Sequence, residues 1–265
     1  MGILRSIGLN KILDIELIDP QFIYIKTLTK GCELLTPLLS YLNALISYRL
    51  NCKGELYWYE FSQYFRSVNL CSKYTLNLTT DVKDRIFNSF SMFLKVSKCN
   101  KAGVQIKLKR LTKILPILKP IYDSILSKDF LRLWKLTYES LRTRPESKTV
   151  VFSVKMAYYG LKALRQYLAL LPMDIPIPVD IRIAKVTYYS GLLIGPKSWR
   201  ELYVNVKVVV NVWNEIAYLS SIPPLHIDSL IWLLPNKSLR NKLRELLGEE
   251  LLRKVMRELS IDMLS

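Results

Sequence analysis

One predicted helix near the middle of the chain carries a lysine, a phenylalanine and a second lysine on a single face. Pro145 and Ser147 favour a helix that starts at about Lys148. Offsets of four and seven residues are near-whole helical turns, so Phe152 and Lys155 should follow Lys148 along one face. A deprotonated lysine amine is a nucleophile. Because lysine is almost never fully buried unless it is paired, the column indicates a cleft wall or, on the plainer interpretation, an exposed face.

A second stretch, LPMDIPIPVD at 171–180, ends on a carboxylate. Three prolines within seven residues exclude a helix here, and each residue before a proline is pushed towards extended geometry. The pattern predicts a stiff loop that leads into a helix beginning near Val179 or Asp180. An aspartate at a helix start usually serves as a cap, but a rigid loop also fixes a catalytic acid in place.

A third stretch, IPPLHIDSLIWLL at 222–234, predicts a helix opened by a proline pair. Asp228 and Trp232 lie one turn apart on the same face of this helix. A carboxylate among isoleucine, leucine and tryptophan is a candidate buried group that requires a partner or a ligand, unless it lies on the polar side. His226 is expected to be a capping or core residue, and no chemistry is assigned to it.

The chain is strongly basic. Lysine and arginine total 39 against 22 aspartates and glutamates, which gives a net charge of +17 over 265 residues. Such a surplus favours an anionic partner, with nucleic acid the leading candidate and a membrane surface the second; the plainer interpretation is a contribution to solubility. The basic run from Lys101 to Lys113 is either a phosphate-binding surface or the solvated face of an amphipathic helix.

The cysteine and histidine content argues against a metal centre. The four cysteines include no C-x-x-C pair, and a single histidine excludes a multi-histidine site. Free thiols in a reducing compartment are therefore expected at Cys32, Cys52, Cys71 and Cys99. The sequence lacks a secretory signal and an uncharged stretch long enough to span a bilayer, so we expect a soluble, intracellular, cytoplasmic protein associated with the nucleoid.

Almost every segment shows helical spacing of apolar residues, so the predicted fold class is all-α with roughly ten helices. Prolines fall where helices should begin or end. One helix should begin near Thr80 and Asp81, and Gly248 should interrupt the C-terminal helical stretch. There is no repeat at solenoid period.

Six segments together resemble the archaeal GO glycosylases, which are 8-oxoguanine DNA glycosylase/lyases of the helix-hairpin-helix superfamily. They are DPQ at 19–21, LNALISYRL at 42–50, KGE followed by a tryptophan at 53–58, KTVVFSVK at 148–155, DIPIPVDIRIAK at 174–185 and IPPLHIDSLIWL at 222–233. The hairpin reads RPES instead of the glycine-rich form common in the superfamily, as in the archaeal branch. The tail after Pro235 carries no matching motif.

The resemblance implies a monomeric, two-lobed helix-hairpin-helix fold with the active site in the cleft between the lobes. We expect one lobe to contain about 60–147 and the other about 1–59 plus 148–265. By resemblance, Lys148 is the nucleophile and Asp180 the catalytic carboxylate. The residues expected to bind the base are Gln21, Trp58, Phe152, Lys155, Asp228 and Trp232.

The activity that the resemblance implies is excision of 8-oxoguanine from double-stranded DNA, with single-stranded DNA a further candidate substrate. The chemistry is a flipped base, a Schiff base on Lys148 and β-elimination, with no metal or other cofactor. Arg142, Arg144 and Lys155 are expected to lower the pKa of the nucleophile.

Three other kinds of protein compete with this hypothesis. A non-enzymatic helical nucleic-acid-binding protein would explain the charge but not the Lys–Phe–Lys column or the rigid carboxylate loop. A glycosylase for another damaged purine would use Asp180 to activate water and would not need Lys148. A membrane-surface protein is disfavoured, because no single segment is a strongly basic amphipathic helix.

Overall fold

The computed structural model describes residues 2–68, 70, 78–100, 102–164 and 170–264, with the backbone alone at Gly31 and Cys32. The helices are α1 (Gly2–Ile7), α2 (Leu9–Ile15), α3 (Pro20–Cys32), α4 (Thr36–Ile46), α5 (Gly54–Ser67), α6 (Thr80–Val96), α7 (Val104–Ile114), α8 (Leu118–Leu126), α9 (Phe130–Leu141), α10 (Lys148–Leu164), α11 (Ile181–Tyr189), α12 (Trp199–Val204), α13 (Val206–Ser220), α14 (Pro224–Leu233), α15 (Arg240–Leu247) and α16 (Glu249–Glu258). Short 3-10 segments lie at Glu16–Ile18, Leu115–Ile117, Lys237–Leu239 and Ile261–Leu264.

The all-α prediction is confirmed: the described ranges contain helices and no strand. The predicted number of helices is wrong, because the described ranges hold sixteen α-helices rather than roughly ten. Single residues such as Gly8, Asn205 and Gly248 separate consecutive helices that share one apolar pattern. The predicted interruption at Gly248 is confirmed, with φ at 83°. Over the described ranges, no helix has the length and apolar character needed to cross a bilayer.

The chain divides into two compact units. The first contains Met1–Asp19, Glu146–Val151 and Leu170–Ser265, and the second contains Pro20–Pro145 and Phe152–Ala169. This division differs from the predicted lobes, because residues 20–59 and 152–169 belong with the centre of the chain. For residues 20–59 the physical reason is packing of α3 against α5, together with a covalent link from the residues before α5 to the residues after α6.

The first unit is built on a continuous aliphatic core. α14 is almost entirely buried, and the core around it includes residues of α1, α2, α11 and α13. The tail after Pro235, which carries no recognisable motif, contributes Leu243, Leu247, Val255 and Met256 to the same core. The tail is therefore an integral part of this unit.

The second unit has an aromatic core that a disulfide supports. Phe61 and Phe65 of α5 pack on Phe90 and Phe93 of α6. Beside this cluster, Cys52 and Cys99 form a disulfide with their Cα atoms 5.2 Å apart. The expectation of free thiols is wrong for this pair, because tertiary packing brings together two turns that are distant in sequence. Cys71 and the side chain of Cys32 lie outside the described residues.

Gly160 lets α10 approach the start of α4 closely. A Cβ atom at this position would lie 2.9 Å from the backbone nitrogen of Pro37, and closer still to the Pro37 Cα. We therefore predict that Gly160→Ala lowers the free energy of unfolding by about 1–3 kcal/mol. The clash with rigid backbone should outweigh the helix propensity of about 1 kcal/mol that alanine gains over glycine. Thermal unfolding followed by circular dichroism measures the change, and a raised midpoint would show that the two helices separate easily.

Lys107 of α7 is buried within the second unit, although it belongs to the basic run. Its ammonium donates a hydrogen bond to Asn100 Oδ1 and lies 5.2 Å from the centroid of the Tyr48 ring. Burial lowers the pKa of Lys107 to about 8 from its ordinary value of 10.5. Both interpretations of the basic run are thus wrong for this residue, whereas Lys109 and Lys113 are exposed.

This burial predicts a pH-dependent stability. Between pH 8 and pH 10.5 the unfolded chain binds a proton at Lys107 that the folded chain has released, so the free energy of unfolding rises with pH across that window. Below pH 8 the folded protein carries the full cost of the buried charge, on the order of 3 kcal/mol. Urea unfolding from pH 7.5 to 10 should show this rise in the wild type and not in Lys107→Met. Parallel pH profiles for the two proteins would contradict the assignment.

Candidate active site

Lys148 and Asp180 meet in the first unit. Lys148 is the first residue of α10, and its Nζ lies 3.7 Å from Asp180 Oδ2. The Lys148 side chain is 53% exposed and that of Asp180 is 21% exposed, so an external reactant can reach the amine. The pair therefore places a solvent-accessible amine beside a largely shielded carboxylate.

Asp180 also caps α11. Its Oδ1 accepts hydrogen bonds from the backbone N–H groups of Arg182 and Ile183, at 2.9 Å and 3.0 Å. The capping interpretation is confirmed, because one carboxylate oxygen fixes the helix start. The other oxygen faces Lys148, and a catalytic role for Asp180 stays a prediction. The prediction of a helix beginning near residue 180 is confirmed.

The proline-rich loop that delivers Asp180 is non-helical and is fixed by burial. Leu171, Ile175, Ile177 and Val179 are all buried. The prolines restrict φ while the apolar side chains hold the loop in place. Asp180 is thus carried by a segment with little conformational freedom, which is how a catalytic group is preorganised.

A buried polar cluster anchors the other end of this loop. The backbone N–H of Leu171 donates to His226 Nε2 at 3.2 Å, so the imidazole proton resides on Nδ1, which lies 2.7 Å from Glu16 Oε1. Ser229 Oγ donates to the same Glu16 oxygen at 3.2 Å. The expectation that His226 is a core residue is confirmed. Sequence reasoning missed Glu16, because Asp14 and Asp19 lie close by and nothing in the local sequence marks Glu16 as the buried acid.

The third predicted stretch forms α14, which belongs to the same unit as Lys148 and Asp180. Asp228 is buried, whereas Trp232 is half-buried. The guanidinium of Arg182 lies 3.8 Å from the centroid of the Trp232 ring. Arg182 was not predicted as a site residue, although its position two residues after Asp180 places it in the first turn of α11.

The remaining four predicted residues belong to the second unit. Gln21, Trp58 and Lys155 are buried, and Phe152 is half-buried. The Trp58 and Phe152 rings meet edge to face at 6.3 Å, and Lys155 Nζ lies 5.6 Å from the Tyr159 ring centroid. Burial of Lys155 excludes a merely exposed face at that position. That the two groups of residues form one pocket stays a prediction, and so does an effect of Arg142 and Arg144 on Lys148.

The chain matches characterised proteins along almost its whole length. The family model described as AGOG: N-glycosylase/DNA lyase matches residues 1–262. An N-glycosylase/DNA lyase of Pyrobaculum aerophilum is 34% identical over 231 residues, which cover 87% of this chain and 82% of that protein. An N-glycosylase/DNA lyase of Methanococcus maripaludis is 33% identical over 242 residues, which cover 87% of this chain and 85% of the relative.

A solved structure has the same fold. It is the 8-oxoguanine DNA glycosylase Pa-AGOG from Pyrobaculum aerophilum, complexed with 8-oxoguanosine. It superposes with a TM-score of 0.74 at 31% sequence identity, and the match covers 98% of this chain and 92% of that chain. These matches confirm the resemblance detected in the six sequence segments. Because these matches cover nearly the whole chain, this chain belongs to the AGOG family of N-glycosylase/DNA lyases.

Proposed function

We propose that this chain removes 8-oxoguanine from double-stranded DNA and cuts the strand at the resulting site. Lys148 is the nucleophile of this reaction and Asp180 is its electrostatic partner. The observation that carries the proposal is the 3.7 Å pair between Lys148 Nζ and Asp180 Oδ2, in which two backbone N–H groups fix the other carboxylate oxygen. The solved relative with bound 8-oxoguanosine supports the choice of base.

The proposed recognition of the base combines aromatic stacking with hydrogen bonds. Extrusion of a nucleotide from the duplex costs a few kcal/mol, and each aromatic ring that stacks on the base returns about 1–3 kcal/mol. Phe152 and Trp232 are the proposed stacking partners. Asp228 accepts from the adjacent N1–H and N2–H donors of guanine, because a carboxylate can take both. Gln21 can donate and accept, so it can bind a second edge of the base.

Trp58 and Lys155 complete the proposed set of binding residues. Trp58 is buried and its ring meets the edge of Phe152, so it restricts the orientation of that ring. Lys155 supplies a buried cation in the same unit. A buried ammonium favours acceptor groups on a ligand, such as a carbonyl oxygen of the base.

Base release begins when Lys148, whose side chain is 53% exposed, gives up a proton to solvent, so Asp180 keeps its negative charge. The Nζ lone pair then attacks C1′ of the flipped nucleotide. The bond between C1′ and N9 breaks, and its electron pair leaves with the base, which takes up a proton. The negative charge of Asp180 stabilises the positive charge that develops on the sugar during this step.

Strand cleavage follows from the covalent intermediate. The sugar ring opens to give a Schiff base between Nζ and C1′. Loss of a proton from C2′ then expels the 3′ phosphate, so the C3′–O bond breaks by β-elimination. Hydrolysis of the Schiff base releases Lys148. No step transfers electrons to an acceptor outside the substrate, so the proposed reaction requires no redox cofactor, and it assigns no role to a metal.

Binding to DNA should rest on the net charge of +17. Contacts between basic side chains and phosphates release counterions, so affinity for undamaged DNA should fall steeply with salt. The proposed partner is double-stranded DNA that contains the lesion, with single-stranded DNA as a second substrate. We propose that the protein acts as a monomer.

The decisive experiment uses a labelled duplex with a single 8-oxoguanine and a matched duplex with guanine. We expect incision of the lesion strand only, and a lesion-dependent covalent adduct when borohydride is present. Base release without an adduct would contradict Lys148 as the nucleophile and favour water activated by Asp180. Tight binding without base release would favour the non-enzymatic alternative. The same lesion in a single strand tests the second substrate.

A further inference from the structure

Arg182 contacts two groups of the proposed site. Its backbone N–H donates to Asp180 Oδ1 at 2.9 Å, and its guanidinium lies 3.8 Å from the centroid of the Trp232 ring. At that distance a planar guanidinium lies directly over the indole face, which carries negative charge density. For comparison, Arg200 lies 4.9 Å from the ring of its sequence neighbour Trp199.

This contact bears on how Trp232 could hold a base. An indole has two faces, and in this structure the guanidinium covers one of them. Trp232 is only half-buried, so packing from its own helix leaves part of the ring unsupported. An aromatic side chain that is already held in its binding orientation loses less conformational entropy when a ligand stacks on it.

We propose that Arg182 is a positioning residue, whose guanidinium supports Trp232 from one face and holds the opposite face ready to stack on the base. The inference rests on the proposed function, in which Trp232 is one of the two stacking partners. Arg182 belongs to α11, and Asp180 fixes the start of that helix. The first turn of α11 therefore sets both the orientation of the Trp232 ring, on which the base stacks, and the position of the Asp180 carboxylate.

Two other roles for Arg182 make different predictions. The guanidinium could cover the same face that the base needs, so that binding must displace it. It could also bind a phosphate of the DNA and touch Trp232 only incidentally. The nucleoside 8-oxoguanosine separates all three roles, because it offers the base and the sugar without a phosphate.

The experiment measures affinity for 8-oxoguanosine by calorimetry in the wild type and in Arg182→Met. Methionine keeps a side chain of similar length that can still make apolar contact, but it lacks the positive charge and the planar guanidinium. We expect about 3–10-fold weaker binding in Arg182→Met, the range of an exposed to partly buried cation–π contact, and a smaller loss in Arg182→Lys. In a Trp232→Ala background, Arg182→Met should cause no further loss, because the effect acts through the indole. Arg200→Met is the matched control and should bind normally.

Each contrary result shows which part of the proposal is wrong. Tighter binding by Arg182→Met would show that the guanidinium occupies the face used by the base. Unchanged nucleoside affinity with weakened affinity for lesion DNA would assign Arg182 to a phosphate. Either result overturns the positioning role while Trp232→Ala still weakens binding. If Trp232→Ala itself binds the nucleoside normally, the stacking assignment of the proposed function fails instead. If Arg182→Met lowers the midpoint of thermal unfolding, nucleoside affinity is compared between Arg182→Lys, which keeps the positive charge, and Arg182→Gln, which does not.

Discussion

Lys148→Gln is expected to lower strand cleavage by at least about 10³-fold and to abolish borohydride trapping, because it removes the covalent nucleophile. Glutamine keeps a polar side chain of similar reach but has no amine that can form a Schiff base. Lesion binding should be largely retained, since Phe152, Asp228 and Trp232 are unchanged. Gel-based incision and trapping assays, together with a binding titration on the same lesion duplex, measure these effects.

Lys162→Gln is the matched control for this variant. Lys162 lies on the same helix, α10, where its ammonium contacts the rings of Phe22 and Tyr158. It has no role in the proposed reaction, so incision and trapping should be close to those of the wild type. Robust trapping by the Lys148→Gln protein would overturn the assignment of the nucleophile. Lys155, two turns further along α10, would then be the first residue to test.

Asp180→Asn is expected to slow base release by about 10²-fold or more, while lesion affinity is largely kept. The substitution removes the negative charge that faces Lys148 Nζ and leaves an oxygen that can still accept the two N–H groups of α11. Asparagine and aspartate are similarly good N-caps, so the stability loss should stay within about 1 kcal/mol. Single-turnover release of 8-oxoguanine measures the rate, and thermal unfolding measures the stability.

Asp180→Ala separates catalysis from capping. It removes the charge and the cap together, so it should match Asp180→Asn in its rate of base release but be less stable by about 1 kcal/mol. If Asp180→Asn releases the base at the wild-type rate, Asp180 is a cap alone and the electrostatic role is wrong. If only Asp180→Ala is slow, the effect on catalysis comes from the position of α11.

The sequence alone determined those features that depend on neighbouring residues. The prolines at 171–180 excluded a helix, and Asp180 marked the next helix start, because φ restriction and capping act within a few residues. Helical spacing established the all-α class, and the run from Lys148 to Lys155 placed its column on one helix. The same local signals underestimated the number of helices, since a single Gly8 or Asn205 between two apolar stretches does not change the periodicity.

Only the tertiary structure decided which distant residues meet. The pairing of Lys148 with Asp180, of His226 with Glu16 and of Arg182 with Trp232 depends on how helices pack. The spacing of residues along the sequence does not show how distant helices pack. The same holds for the disulfide between Cys52 and Cys99 and for the burial of Lys107 within a basic run. A charge becomes buried when other helices close over it and a polar partner compensates. For Lys107 the partner Asn100 is near in sequence, but Tyr48 and the helices that cover the ammonium come from distant parts of the chain.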